Sequence, residues 1–192
     1  MILGKMRSYK IRIMISLLSC ITATFLMMTI FFSLASAKQE YSFVEKWGSR
    51  GENNGLFLFP HSIVVDLSGK VYVSDPLTDH IQKFTSNGRY ITKWGSLGIA
   101  NGQFVSADGL ATDNSSNVYS LDPDIPAIQK FDSNGKFITK WGYHHGTENG
   151  NFSSPSALAI DSKTGKVYVV DPYSYRIEVF IAINSVCMKI IS

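Results

Sequence analysis

Three Asp-Pro pairs, Asp75-Pro76, Asp122-Pro123 and Asp171-Pro172, recur along this chain. They are the residues whose type and spacing offer the most chemistry. Three carboxylates gathered around an axis could hold a hard divalent cation, and such an ion could support lyase or hydrolase chemistry. The same pairs also have a plainer use. A carboxylate at a strand end accepts backbone N–H bonds and fixes a turn, while proline presets the next φ. A catalytic group is needed once and a turn is needed in every repeat, so the repetition favours the structural use. The four histidines, His61, His80, His144 and His145, do not make a zinc set, which requires three or four convergent ligands. Positions equivalent to His61 hold Asp108 and Ser156, and those equivalent to His80 hold Ala127 and Arg176. The two cysteines, Cys20 and Cys187, lie near opposite ends of the chain. They offer neither a disulfide framework nor a thiol with a histidine nearby in sequence.

What must position these groups is a repeat. Trp47, Trp94 and Trp141 are spaced by 47 residues, each preceded by lysine and followed by glycine. Asn54-Gly55 returns as Asn101-Gly102 and Asn149-Gly150, and Phe57 as Phe104 and Phe152. Asp66 returns as Asp113 and Asp161, and Val71-Tyr72 as Val118-Tyr119 and Val167-Tyr168. A period of this length marks a stacked or radial architecture. Within a unit, short runs rich in Val, Ile, Tyr and Phe alternate with Gly, Asn, Asp and Ser clusters, which predicts strands. The expected strands are 62–66, 70–74, 80–85 and 89–94 in the first unit, and 110–113, 118–121, 127–132 and 136–141 in the second. Leu67-Ser68-Gly69 and Ser86-Asn87-Gly88 read as tight turns. Four antiparallel strands per repeat describe a propeller blade.

Three motifs carry a resemblance to a known family: Pro60-x-x-Ile63-x-Val65-Asp66, Gly69-Lys70-Val71-Tyr72-Val73-x-Asp75 and Ile81-Gln82-Lys83-Phe84-x-Ser86-Asn87-Gly88. They resemble the NHL repeat of six-bladed β-propellers across nearly all of residues 41–180. The resemblance implies an all-β fold, a partial propeller of about three four-stranded blades, and the apolar leader before it is expected to be an N-terminal helix. It also implies an interaction scaffold. Some relatives, such as peptidyl-amidating lyases, use a metal with histidine ligands, and no histidine ring is present here to receive that role. The segment 41–47 resembles the fourth strand of a blade without its first three. The third unit shows three strands and then leaves the pattern after Phe180.

If the strands alternate in direction, the start of the first, the end of the second and the start of the third share one face. That face gathers His61, Asp108 and Ser156; Asp75, Asp122 and Asp171; and His80, Ala127 and Arg176, with Tyr173 and Tyr175 in an adjoining loop. The candidate ligand-binding residues are therefore His61, Asp75, His80, Asp108, Asp122, Asp171, Tyr173, Tyr175 and Arg176. The long Gly/Asn-rich loops 48–60, 95–106 and 142–154 lie beside them. The tryptophans read as packing between blades rather than as recognition aromatics. No catalytic residue, metal ligand or cofactor is assigned.

The organisation expected is a leader over 1–37, blades over 38–181 (repeats near 47–93, 94–140 and 141–180) and an aberrant tail over 182–192. Lys5, Arg7, Lys10 and Arg12 precede an uncharged run from Ile13 to Leu34 and then Ala35-Ser36-Ala37. This is a secretory signal cut after Ala37 or, given 22 apolar residues, a retained anchor. Either places the remainder outside the cell or on its surface. The leader also accounts for the net charge of +3. Of the 18 Lys and Arg residues four lie in it, leaving 14 against 15 acidic residues. A balance of −1 gives no basic stripe for phosphates, so a nucleic-acid partner is not expected. The expectation is an exported, non-enzymatic module, a fragment of a longer propeller, that binds a protein or a glycan and meets a membrane only through its first segment where that is uncleaved, with self-association of an incomplete ring open. The alternative is a propeller lyase or hydrolase with an axial divalent metal.

Overall fold

The computed structural model describes residues 18–25, 39–142, 145–146 and 148–182. The leader's cleavage motif, most of its apolar run, His144 and Cys187 lie outside them. The chain divides into two compact units, Met1–Val44 and Glu45–Ser192. In the first, residues 18–25 are helical and exposed. Thr22 and Thr24 donate their hydroxyls to carbonyls of the preceding turn, as Thr22 does to Leu18 at 3.1 Å. Among the described residues no helix is long and apolar enough to cross a membrane.

The described residues of the second unit form β-strands joined by turns and loops. The first blade comprises β1 (Ile63–Val65), β2 (Val71–Asp75), β3 (His80–Phe84) and β4 (Tyr90–Trp94). The second comprises β5 (Leu110–Thr112), β6 (Val118–Asp122), β7 (Ala127–Phe131) and β8 (Phe137–Trp141). The third has β9 (Ala157–Ile160), β10 (Val167–Asp171) and β11 (Arg176–Phe180), with a short 3-10 turn at Pro172–Ser174. Each sheet is antiparallel in simple sequence order. The innermost strands meet, β1 against β5 and β5 against β9. This radial order of sheets, joined along their inner strands, is a partial β-propeller.

The core lies between blades. Tyr72 and Ile81 of the first blade pack with Phe104, Leu110, Val118 and Phe131 of the second. Tyr119, Leu121 and Ile128 of the second pack in turn with Phe152, Val167 and Val169. The tryptophans belong to these layers. Trp94 lies 5.9 Å from Phe131 in the next blade, and Trp141 lies 5.9 Å from Phe180. A Cβ placed on Gly135 would come within 2.5 Å of the Trp94 ring, and one on Gly88 within 2.5 Å of Trp47. Glycine is thus required where each indole crosses a β3–β4 type turn.

One sequence expectation is modified. Asp75 and Asp122 are the last residues of β2 and β6 rather than flanking them, because each pairs in register, with His80 and with Ala127. Ile63 and Val65 of the innermost strand are 62% and 56% exposed. Their counterpart Leu110 is buried by the blade before it, and no described blade precedes the first.

Candidate functional site

The three aspartates at the ends of β2, β6 and β10 are fully buried, and each takes hold of the loop that enters its own blade. Asp75 accepts the N–H groups of Leu58 at 2.7 Å, Phe59 at 3.1 Å and Leu77 at 3.2 Å. Asp122 accepts those of Val105 at 2.7 Å, Ser106 at 3.1 Å, Asp124 at 3.1 Å and Ile125 at 3.2 Å. Asp171 accepts those of Ser153 and Ser154, both at 2.9 Å. Burial pushes the Asp122 carboxyl above its ordinary value despite its four donors. At Asp171 burial also pushes upward, but the bonds from Ser153 and Ser154 outweigh it and the carboxyl lies low. Backbone donors therefore take up these carboxylates in every unit. The chemistry available to them is loop anchoring.

The remaining predicted residues fall on the same face, as the strand directions require. His61 pairs with Asp108 across the boundary between the first two blades and stacks on Phe59 at 6.0 Å. Burial raises the Asp108 carboxyl, and the charge of His61 pulls it back only in part. His80 opens β3, where burial first and Lys93 second push its pKa down. Among the described residues no three His, Cys, Asp or Glu side chains converge to hold a metal ion.

Arg176 has a role that its position did not announce. In the first two blades Gln82 and Gln129 pin the entering loop with both amide atoms. Gln82 accepts from Gly55 N–H at 2.8 Å and donates to Leu56 O at 2.6 Å. Gln129 accepts from Gly102 N–H at 2.8 Å and donates to Gln103 O at 2.6 Å. The third blade has Glu178 there, which accepts from Gly150 N–H at 2.8 Å but, as a carboxylate, has no proton to give. Arg176 supplies the missing donor, reaching Asn151 O at 2.6 Å and Glu148 O at 3.0 Å, and pairs with Glu178. The 47-residue spacing of Gln82 and Gln129 was the available signal.

Two predicted residues are left facing solvent. Tyr173 is 75% exposed and Tyr175 is 96% exposed. Tyr175 has φ 53, the left-handed region, with its N–H donated to Pro172 O at 3.1 Å. Bulky side chains rarely adopt this conformation, and such outliers gather at functional positions. The two equivalent positions carry Asp79 and Pro126.

On the opposite face, Asp66, Asp113 and Asp161 brace tight turns. Asp66 accepts from Ser68 N–H at 2.8 Å, Lys70 N–H at 2.9 Å and the Tyr72 hydroxyl at 2.9 Å. Blades are tied by serines that the repeat pattern hid: Ser74 donates to Asp108 O at 2.6 Å, and Ser62 accepts from Leu110 N–H at 3.1 Å.

Similar architecture exists among solved structures. A "putative exported protein" of Bacteroides fragilis superposes with TM-score 0.53 at 13% identity, covering 69% of this chain and 37% of that one. The chain shares its fold. A gluconolactonase of Xanthomonas campestris superposes with TM-score 0.42 at 16% identity, covering 58% of this chain and 34% of that one. This chain thus spans about a third of the length of either structure. No protein-family model and no curated protein sequence matches it.

Proposed function

We propose that this chain is an exported, non-enzymatic β-propeller module of the NHL-repeat type, and that the face bearing Tyr173 and Tyr175 binds a protein or a glycan. The observation that carries the reading is the pair of exposed tyrosines. One of them is held in a conformation that costs backbone energy, on a face where the framework has taken up the carboxylates. Aromatic rings with a polar tip suit a flat partner surface or a sugar ring. Export rests on the basic and apolar leader of 1–37. The axial-metal alternative would need Asp75, Asp122 and Asp171 as ligands, and bonds to backbone N–H groups already occupy them.

Immobilised chain is presented with a glycan array and with proteins of the cell surface, beside a Tyr173→Ala/Tyr175→Ala variant of unchanged melting temperature. The expected result is saturable binding that the double variant loses by tenfold or more. Equal binding by both proteins, or stoichiometric divalent metal that raises the melting temperature, overturns the reading.

A further inference from the structure

Two asparagines stand in the Asn-x-Ser pattern that accepts N-linked glycans in exported proteins, Asn114-Ser115-Ser116 and Asn151-Phe152-Ser153. The fold separates them. Asn151 is half-buried, its carbonyl accepts from Arg176 at 2.6 Å, and the Phe152 that follows is fully buried between the second and third blades. Ser153 donates its N–H to the buried Asp171 at 2.9 Å. These residues are committed to the loop that enters the third blade. Asn114 and Ser115 instead form the exposed tip of the turn between β5 and β6, on the face opposite Tyr173 and Tyr175. Asp113 ties the tip down by accepting the N–H groups of Ser115 and Asn117, both at 2.9 Å. The equivalent of Asn114 in the first blade, Leu67, is 78% exposed, so the position belongs to the surface in both blades.

The third residue of the pattern carries a conformational cost. In each blade this turn has one residue in the left-handed region, and its N–H is donated to the carbonyl of the turn's aspartate. Gly69 bonds Asp66 at 2.9 Å, Ser116 bonds Asp113 at 3.0 Å and Gly165 bonds Asp161 at 2.8 Å. Their φ values are 74, 58 and 71. The first and third blades use glycine, which adopts this conformation freely. The second uses serine, whose Cβ is disfavoured there. Ser116 gains no hydrogen bond from its hydroxyl to another described residue in return. A residue that departs from its repeat at a cost to the backbone points to a use for its side chain. The use that fits is a hydroxyl two places after an asparagine. Serine makes Asn114 an acceptor, and the glycine of the other blades would not.

We propose that Asn114 carries an N-linked glycan. The inference rests on the export in the proposed function, since the transfer acts on chains that have crossed a membrane. The donor is a lipid-linked oligosaccharide phosphate. Asn114 Nδ2 forms a bond to the anomeric carbon of the first sugar, and the bond from that carbon to the phosphate oxygen breaks. The lipid phosphate leaves with the bonding pair, and one Nδ2 proton passes to a base of the transferase. The nitrogen keeps its other proton, and its bond to Ser162 O in the third blade needs only one. The glycan stands away from Tyr173 and Tyr175 and leaves their face open.

The test expresses the full chain in a eukaryotic secretory host, once with its own leader and once with residues 1–37 replaced by an unrelated secretory signal. Mass spectrometry reads the peptides bearing Asn114 and Asn151 before and after peptide N-glycosidase treatment in heavy-oxygen water. The proposal expects a glycan at Asn114 that the treatment converts to labelled aspartate, with higher occupancy there than at Asn151. Ser116→Ala should lose that glycan. Ser116→Gly should lose it as well and unfold at a higher urea concentration than Ser116→Ala, because glycine relieves the backbone. A chain secreted under the unrelated signal with Asn114 unmodified overturns the proposal. So does higher occupancy at Asn151, a glycan at Asn114 that survives Ser116→Ala, or equal urea midpoints for the two Ser116 variants. Modification under the unrelated signal but not under the chain's own leader supports the site and counts against export, so the two readings can fail separately.

Discussion

Substituting alanine at Gly135 tests whether the evenly spaced tryptophans hold neighbouring blades together. The new Cβ would lie 2.5 Å from Cδ2, 2.6 Å from Cε3 and 2.7 Å from Cγ of Trp94, on a backbone with φ +86. The left-handed conformation costs an alanine about 1–2 kcal/mol. Forcing the indole aside in a packed layer adds about 1–3 kcal/mol. Gly165→Ala is the control, because its φ is +71 and nothing lies within 4 Å of the added Cβ, so only the conformational cost applies. Gly135→Ala should therefore be the more destabilising by about 1–3 kcal/mol. With a urea dependence of about 1–3 kcal/mol per molar, its midpoint falls on the order of 1 M below that of the control. Urea unfolding followed by far-ultraviolet circular dichroism gives both midpoints. Trp94→Ala in the Gly135→Ala background removes the collision, so the double variant should be more stable than the sum of its parts predicts. Equal midpoints for Gly135→Ala and Gly165→Ala, or strict additivity with Trp94→Ala, would refute the role given to the indoles.

Two further outcomes follow from the same framework. At Asp113 burial pushes the carboxyl upward, but the Asn117 side chain and N–H and the Lys130 ammonium, 3.1 Å away, outweigh it and hold the pKa below 3.8. A depressed carboxyl lends stability that is complete above pH 3.8 and is lost as pH falls through its folded value. Stability measured against pH should thus decline less steeply in acid for Asp113→Asn than for the unaltered chain, and parallel curves would contradict this. In the third blade, Arg176→Ala strands Asn151 O and sets the Glu178 carboxylate against it. It should cost about 2–3 kcal/mol in chemical denaturation, and Arg176→Ala/Glu178→Gln, which recreates the pairing of the second blade, should regain more than half. Failure of the glutamine to rescue would show that Arg176 does something other than replace the amide donor.

The architecture was legible because every level of the sequence carried the same period. Val71-Tyr72, Asn87-Gly88 and the Lys-Trp-Gly steps each recur at close to 47 residues, so alternation, turn chemistry and packing residues reinforced one another. The shared face was legible too, since strand direction alone puts His61, Asp75 and His80 at one end of a blade. The partners of the aspartates were harder to see. Asp75 binds residues 16 and 17 positions earlier, across a loop whose path no local pattern fixes. The Arg176–Glu178 arrangement was hidden for a related reason: each residue looks like a lapse from the repeat when read alone, and only the hydrogen bonds show that one lapse compensates the other. The exposure of Ile63 and Val65 was illegible because burial in a propeller belongs to the neighbouring blade, not to the strand itself.

Sheet surfaces that meet water ordinarily carry polar side chains. On the open front of the third blade the substitutions run the other way. Lys83 and Lys130, which stand over Tyr72 and Tyr119 at 5.4 and 4.8 Å, give way to Val179. Lys83 also spends its ammonium on a neighbour, donating to Ser133 O in the next blade at 2.5 Å. Replacing that lysine by valine removes a hydrogen bond between blades and adds apolar area, a change that favours a face meeting another sheet and disfavours one meeting water. The exposed front of the third blade, which carries Ile177 and Val179, is therefore suited to packing against another sheet.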